Sequence, residues 1–243
     1  DENATKYTTQ PTAELFEVLS KKHNISNVNR ISYRERVSVE DFDITAYDSG
    51  HILGSAMCHI NTNEGSILYT GDLNCVNTII TKAAVPLKAD VLIIESTYGS
   101  PEFLFPLRTD VYSNLVKWVI DRISDNKVPT FYLYSVGKSQ EVIKLLNKFT
   151  EVSVMVHPII AKINKIYSNW KIKLNNTIEN DSVTSGKCVL VTPSGYNNSQ
   201  NVPDRAPARA TGWSLRFNHE NSFPLSSHAD FSQLLNFIKN VNP

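Results

Sequence analysis

Cysteine is scarce in this chain and never paired: Cys58, Cys75 and Cys188 are the only three, and none lies in a CxxC. An odd, widely spaced set supplies neither a disulfide framework nor a thiolate zinc site, and it reads as reduced and intracellular. Cys58 and Cys188 sit in apolar strand-like runs, where a small buried hydrophobe is the ordinary role, while Cys75 is expected to be more open. No apolar run is long enough to span a bilayer, and DENATKYTTQ lacks the basic-then-apolar pattern of a signal peptide, so a soluble chain with no membrane partner is expected. Net charge is missing too. Lys+Arg and Asp+Glu number 24 each, which leaves no global positive field to gather nucleic acid; any such binding has to come from a local groove. No internal repeat or low-complexity run appears. What is present, 243 residues at 41% hydrophobic content, can bury one large core or two modest ones.

The stretch 48–72, DSGHILGSAMCHINTNEGSILYTGD, organises the rest. Positions 55–60 and 66–70 are strand-like, and the polar Asn61-Thr62-Asn63-Glu64-Gly65 between them has turn chemistry, so a β-hairpin is predicted. A hairpin returns to where it began, which brings the Gly-flanked His51 close to Asp72. On a rigid support these are two candidate metal ligands or an acid/base pair. Each is also, taken alone, an ordinary loop residue.

Upstream, Pro11 and Thr12 introduce a helix over 13–19 with Thr12 as its cap, ending near His23 and Asn24, where His23 reads as a solvated helix-end residue. Positions 42–47 alternate as a strand. Positions 89–95, ADVLIIE, form a nearly all-apolar strand of the kind buried on both faces, delivering Glu95 to a loop; a carboxylate there is either a surface glutamate or one that needs partners.

From Pro101 onward helices (109–123, 139–149, 159–170) alternate with strands (128–134, 152–156, 187–191). That rhythm predicts a parallel sheet with covering helices. The turn Ser135-Val136-Gly137-Lys138-Ser139 enters a helix, so free backbone N–H groups at Gly137 and Ser139, with Lys138, could hold a phosphate. It is no Walker A loop, since the first glycine of that motif would fall at Tyr132, and N-capping by Ser139 explains the turn as well. Positions 193–209 read as a loop and 212–217 as a strand, with Arg205, Arg209 and Arg216 as candidate phosphate contacts. Then FPLSSHAD leads into an amphipathic helix over 231–241. His228 there is either general-acid machinery or part of an N-cap region with Asp230 as cap, and spacing favours the cap.

Taken together and in order, GHILGS, YTGD, ADVLIIESTYG, VGKSQE and FPLSSHAD closely resemble the metallo-β-lactamase-fold nucleases that carry a β-CASP insertion, especially the mRNA 3′-end-processing branch with its cleavage and polyadenylation specificity factor endonuclease and archaeal relatives. The resemblance implies an α/β chain in which a partial metallo-β-lactamase αββα sandwich, about 1–101 and 221–243, is interrupted by a Rossmann-like β-CASP domain at about 102–220. It implies that His51 is a zinc ligand, Asp72 the carboxylate bridging two zinc ions, Glu95 the first β-CASP carboxylate and His228 the histidine it orients. Two metals would hold a phosphodiester and make hydroxide available near neutral pH, and an oriented histidine would protonate the leaving oxygen. Lys138 stands where relatives usually have Arg, giving a point charge without a bidentate fork.

The implied activity is zinc-dependent RNA hydrolysis in 3′-end processing or decay. The implied partner is single-stranded RNA, with DNA as an alternative because some relatives cut it; a homodimer or processing-complex subunits are further partners. The setting would be cytoplasmic, or nuclear in a eukaryote. One departure stands out. The family's HxHxDH does not occur in residues 1–243, nor does its last ligand histidine. Two ligands are fewer than the three that a catalytic zinc ordinarily takes, so residues 1–243 are expected not to assemble the dinuclear centre alone. A metal-free homologue that binds RNA or a partner, and an unrelated α/β binding domain, are the competing expectations.

Overall fold

The computed structural model describes residues 4–20, 27–175, 177–179, 188–195, 204–217 and 221–243. The chain forms two compact units, Asp1–Leu104 with Ser227–Pro243, and Phe105–Ser226. It is a mixed α/β protein.

The first unit opens with strand β1 (Lys6–Thr9) and helix α1 (Gln10–Leu19), and β1 pairs in parallel with β2 (Val28–Ile31). The helix starts earlier than the sequence implies. Its cap is Thr9, whose Oγ1 accepts the Thr12 amide, while Thr12 itself donates its hydroxyl to the Gly54 carbonyl. The predicted helix end at His23 and Asn24 lies outside the described residues.

A five-stranded sheet follows, in the order β3 (Arg36–Val39), β4 (Phe42–Asp48), β5 (Ala56–Thr62), β6 (Gly65–Tyr69), β7 (Val91–Ile93). Strands β5 and β6 are the expected hairpin, with Thr62 opposite Gly65 and Cys58 opposite Tyr69. Met57 and Leu68 point from this hairpin into a core shared with Leu73, Ala89 and one face of helix α5 (Phe231–Val241). That face is Leu234, Phe237 and Val241, one helical turn apart, and burying each side chain contributes roughly 1.5–3 kcal/mol.

Strand β7 departs from expectation. Among the described residues it is a three-residue edge strand paired only with β6, and Val91 and Ile93 are about half exposed while Leu92 and Ile94 pack on the core. With a neighbour on one side and packing on one face, the run is not buried on both faces.

The second unit holds a six-stranded, all-parallel sheet in the order β10 (Thr177–Glu179), β9 (Ser153–Val156), β11 (Cys188–Pro193), β8 (Val128–Leu133), β12 (Arg205–Ala210), β13 (Ser222–Phe223). Three helices bury one stripe each: α2 (Arg108–Ser124) through Val111, Leu115 and Val119, α3 (Lys138–Phe149) through Val142, Ile143, Leu145 and Leu146, and α4 (Pro158–Asn169) through Ile160, Ile163 and Tyr167.

Two expectations fail here. The predicted loop 193–209 contains β12, and the predicted strand 212–217 is a short 3-10 turn, Gly212–Leu215, capped by the Thr211 hydroxyl. Strand β12, RAPARA, hides its alternation in alanines: Ala206, Ala208 and Ala210 are buried. Its proline is tolerated for a geometric reason. The amides of Arg209 and Thr211 donate to Asn221 and Phe223 on the β13 side, and Pro207, two positions earlier on that same edge, lies ahead of where β13 begins.

Candidate active site

The loop between β4 and β5 carries the first candidate ligand, and two glycines shape it. Gly50 has φ +71°, and a Cβ there would stand 2.6 Å from the Lys82 carbonyl oxygen and 2.7 Å from that of Asn74. Gly54 has φ +85° and its carbonyl accepts hydroxyl bonds from Thr9 and Thr12 at 2.7 and 2.8 Å. Between them His51 is held by its Nδ1, 2.9 Å from the Ser227 carbonyl. A carbonyl can only accept, so Nδ1 carries the proton and Nε2 presents its lone pair 3.5 Å from Asp72 Oδ2. Burial holds the His51 pKa below the usual histidine value, and the adjacent His228 reinforces it. Both effects favour the neutral ring, the form that ligates metal.

Glu95 follows β7 and is almost wholly enclosed, its side chain 7% exposed. Its two carboxylate oxygens lie 3.0 and 2.9 Å from Nδ1 of His228, and one also accepts the Leu73 amide at 2.5 Å. Burial pushes this carboxyl up, but the hydrogen bonds from His228, Thr97 and the Leu73 amide together outweigh it and hold it below its ordinary value. The carboxylate fixes Nδ1 as the protonated nitrogen of His228, leaving Nε2 as the basic one. Leu73 ties the pieces together: its carbonyl also receives the Ala229 amide at 2.7 Å. Tyr98, itself buried, sets its ring edge-on to His228 at 6.0 Å between centroids.

His51 and His228 stand 4.5 Å apart between ring centroids, and His51, Asp72 and His228 each offer a ligand atom within 4.8 Å of the others. In a tetrahedral zinc site with bonds of roughly 2.0–2.2 Å, neighbouring donors lie about 3.3–3.6 Å apart, so the His51–Asp72 separation suits two ligands of one ion. Cys75 is not one of the three clustered ligand groups. Burial, with the charges of Glu95 and Asp230, pushes its thiol up to about 12. Asp230 is the cap of α5, in a reciprocal capping box with Gln233, which leaves the histidine two residues earlier for the cluster.

The other predicted site residues lie in the second unit. Gly137 precedes α3 with no side-chain cap on the helix, and the Ser139 hydroxyl donates to the Tyr134 carbonyl at 2.7 Å, so Ser139 is not the cap. Lys138 turns inward: its Nζ donates to the Leu225 carbonyl at 2.7 Å, and the residue is 6% exposed. A phosphate at this turn would meet backbone amides and not that ammonium. Gln140 donates to the Ser135 carbonyl and to Asn164, and Glu141 takes a two-pronged bond from Arg108 at 2.8 and 2.9 Å with Tyr112 on the same oxygen. VGKSQE is therefore a buried polar network that locks the start of α3. Arg205 and Arg209 lie on β12, Arg209 exposed, and Arg216 follows the 3-10 turn.

Sequence reading missed three residues that hold this geometry: Leu73, Tyr98 and Ser227, the last through the backbone carbonyl that orients His51. Backbone roles leave no trace in residue type. Tyr98 and Thr97 lie in the ESTYG string and were within reach.

The His–Asp–His cluster, one of whose imidazoles is held by a carboxylate, could hold a metal ion. No family model matches the chain. Among its relatives, "Probable DNA ligase" of Opitutus terrae is 31% identical over 242 residues, covering 96% of this chain and 24% of that protein. The RNase J-like protein of Methanocaldococcus jannaschii is 29% identical over 230 residues, covering 78% of this chain and 55% of that protein. Cleavage and polyadenylation specificity factor subunit 3 of Dictyostelium discoideum is 30% identical over 148 residues, covering 60% of this chain and 19% of that protein. The chain thus spans from about a fifth to about half of the length of these relatives. A crystal structure of a protein of unknown function from Enterococcus faecalis V583 matches the whole chain and 69% of its own length with a TM-score of 0.67 at 12% identity, a likeness of fold. The chain is homologous to the metallo-β-lactamase-family β-CASP nucleases of RNA 3′-end processing, as the five motifs implied.

Proposed function

We propose that residues 1–243 are the bulk of a zinc-dependent ribonuclease that hydrolyses RNA phosphodiester bonds in 3′-end processing or decay. In this reading the unit Asp1–Leu104 with Ser227–Pro243 is the metallo-β-lactamase-type domain, and Phe105–Ser226 is the Rossmann-like β-CASP domain. His51 and Asp72 would hold zinc. Bound there, the metal supplies Lewis-acid polarisation of the phosphodiester and a water of lowered pKa. His228 delivers a proton to the leaving oxygen, and Glu95 keeps it in one tautomer and one orientation while it does so. HxHxDH does not occur in residues 1–243, so the reading takes the remaining ligands from sequence outside this stretch, and residues 1–243 alone are expected to be inactive.

The single observation that carries the proposal is the Glu95–His228 pair, joined at 2.9 Å across 133 positions beside the His51–Asp72 pair. A surface that only bound RNA would need no buried carboxylate aimed at an imidazole in that place. The test is RNA hydrolysis by a protein that includes the HxHxDH segment, before and after zinc removal, with Asp72→Asn alongside. Loss of hydrolysis in both, with the fold intact by circular dichroism, is expected; hydrolysis that survives both overturns it. RNA binding by the zinc-loaded protein without any cleavage would favour a binding-only homologue.

A further inference from the structure

The parallel sheet of the second unit reverses its direction of growth at β8. The chain runs from β8 to β9 and β10 on one side, returns to β11 beside β8, and then crosses to β12 on the other side. In open α/β sheets such a reversal opens a crevice at the carboxyl ends of the strands, the usual place for a ligand. A cavity of about 560 Å³ lies there, lined by Tyr134 just after β8, Ser194 after β11, Arg209 on β12 and Trp213 and Phe217 at the 3-10 turn. Small-ligand sites span roughly 300–1,000 Å³.

The lining has a definite chemistry. Tyr134 is 71% exposed, Phe217 51% and Trp213 38%, an unusual gathering of aromatic surface. Among the described residues of the lining Arg209 is the only charged one. The frame is fixed before any ligand arrives. The Ser194 amide donates to the Leu133 carbonyl at 2.8 Å, the Thr211 amide to Phe223 at 2.9 Å, and the Phe217 amide to Trp213 at 3.1 Å. Flat rings that stack, one guanidinium that pairs with an anion, and hydroxyls at the rim suit a planar heterocycle bearing a phosphate.

We propose that this crevice binds an unpaired nucleotide of a single strand, the base stacked on the aromatic rings and its phosphate paired with Arg209. The strand part rests on the ribonuclease reading above; the nucleotide chemistry rests on the pocket alone.

Residues 1–243 suffice for the test. Adenosine 5′-monophosphate is titrated against tryptophan emission, and a fluorescent oligoadenylate of about ten nucleotides against anisotropy, a length near the strand segment that such sites cover. The mononucleotide should quench wild type and not Trp213→Phe, since Trp118 is packed between Phe131 and Phe223 and Trp170 does not line the cavity. Tyr134→Ala, a change at an exposed ring that spares the fold, should weaken the oligonucleotide roughly tenfold. Arg209→Ala should weaken it and lower the salt slope by about 1. Oligonucleotide affinity unchanged in both variants overturns the pocket while leaving RNA binding in place. Mononucleotide quenching with no oligonucleotide binding overturns the strand and leaves a free-nucleotide site. Absence of both overturns the proposal, and the hydrolysis assay decides the ribonuclease reading independently.

Discussion

Glu95 in the first unit and Glu141 in the second are both carboxylates buried against a cationic or basic partner, and the partners differ in kind. Glu141, 2% exposed, faces Arg108, which keeps its proton at any working pH, and Tyr112. The same Arg108 donates to the Ser226 carbonyl at 2.9 Å, and neighbouring Lys138 to that of Leu225, so the cluster clamps the end of the 222–226 segment. Glu95 faces an imidazole, a ring with one nitrogen held by the carboxylate and a second nitrogen left to act. One arrangement holds backbone in place. In the proposed reading the other places a proton where a reaction can use it.

If that contrast is right, the largest stability effect belongs to the clamp. Glu141→Ala leaves Arg108 and Lys138 buried without their carboxylate, and the expected cost is about 3–5 kcal/mol. All three tryptophans, Trp118, Trp170 and Trp213, lie in Phe105–Ser226, so tryptophan emission during urea unfolding reports this unit by itself. A loss under about 1 kcal/mol would remove the clamp from the comparison.

Gly50→Ala comes next, at about 2 kcal/mol or more in the first unit, because the φ is left-handed and the new Cβ meets two backbone carbonyls. Methyl NMR of Leu68 and Leu234 under urea would follow it.

The two units should also differ in pH dependence. In the second, burial holds Lys138 at about 7, against an unfolded value near 10.4. Between these the unfolded chain binds the extra proton, so stability rises with pH across that window, and Lys138→Met should flatten the rise. In the first unit both shifts act at acid pH. His51 is depressed below the unfolded value of about 6.5, so the unfolded state takes up its proton first and stability falls on acidification from there. Glu95 is depressed below about 4.3; its contribution is present above that value and is lost as pH falls through its folded value. A flat profile of the Leu234 signal between about pH 7 and 5 would contradict the His51 shift, and a flat profile from about pH 5 down to 2 the Glu95 shift.

The smallest expected effect concerns metal. Residues 1–243 should retain zinc weakly and below one ion per chain after dialysis, because the proposed reading assigns His228 to proton delivery and leaves His51 and Asp72 as two ligands; two tightly held ions in elemental analysis would require further ligands.

Much of this arrangement was legible in the sequence, for identifiable reasons. The hairpin declared itself through a polar five-residue turn between apolar runs, and α5 was bounded correctly because its apolar stripe and its Asp230 cap agree. The site pair Glu95–His228 came from the motif string, since no local pattern links residues 133 positions apart. The failures are physical as well. β12 was hidden by Pro207 and by alanines that carry little hydrophobic signal, and ADVLIIE looked doubly buried because edge and central strands share composition. Lys138 looked like a phosphate contact because residue type does not reveal whether an ammonium points out or toward a carbonyl.

The most direct measurement is kcat and RNA Kd for Glu95→Gln beside Glu141→Gln, in the zinc-loaded protein that includes the HxHxDH segment. Glu95→Gln should lower kcat by roughly a hundredfold or more with RNA affinity within about twofold, because it disturbs proton delivery in the transition state and not ground-state binding. Glu141→Gln should lower stability far more than it lowers the kcat of the folded fraction. Full turnover by folded Glu95→Gln, or a loss that tracks its RNA affinity, would contradict the assignment of His228 and Glu95 as the proton-delivering pair.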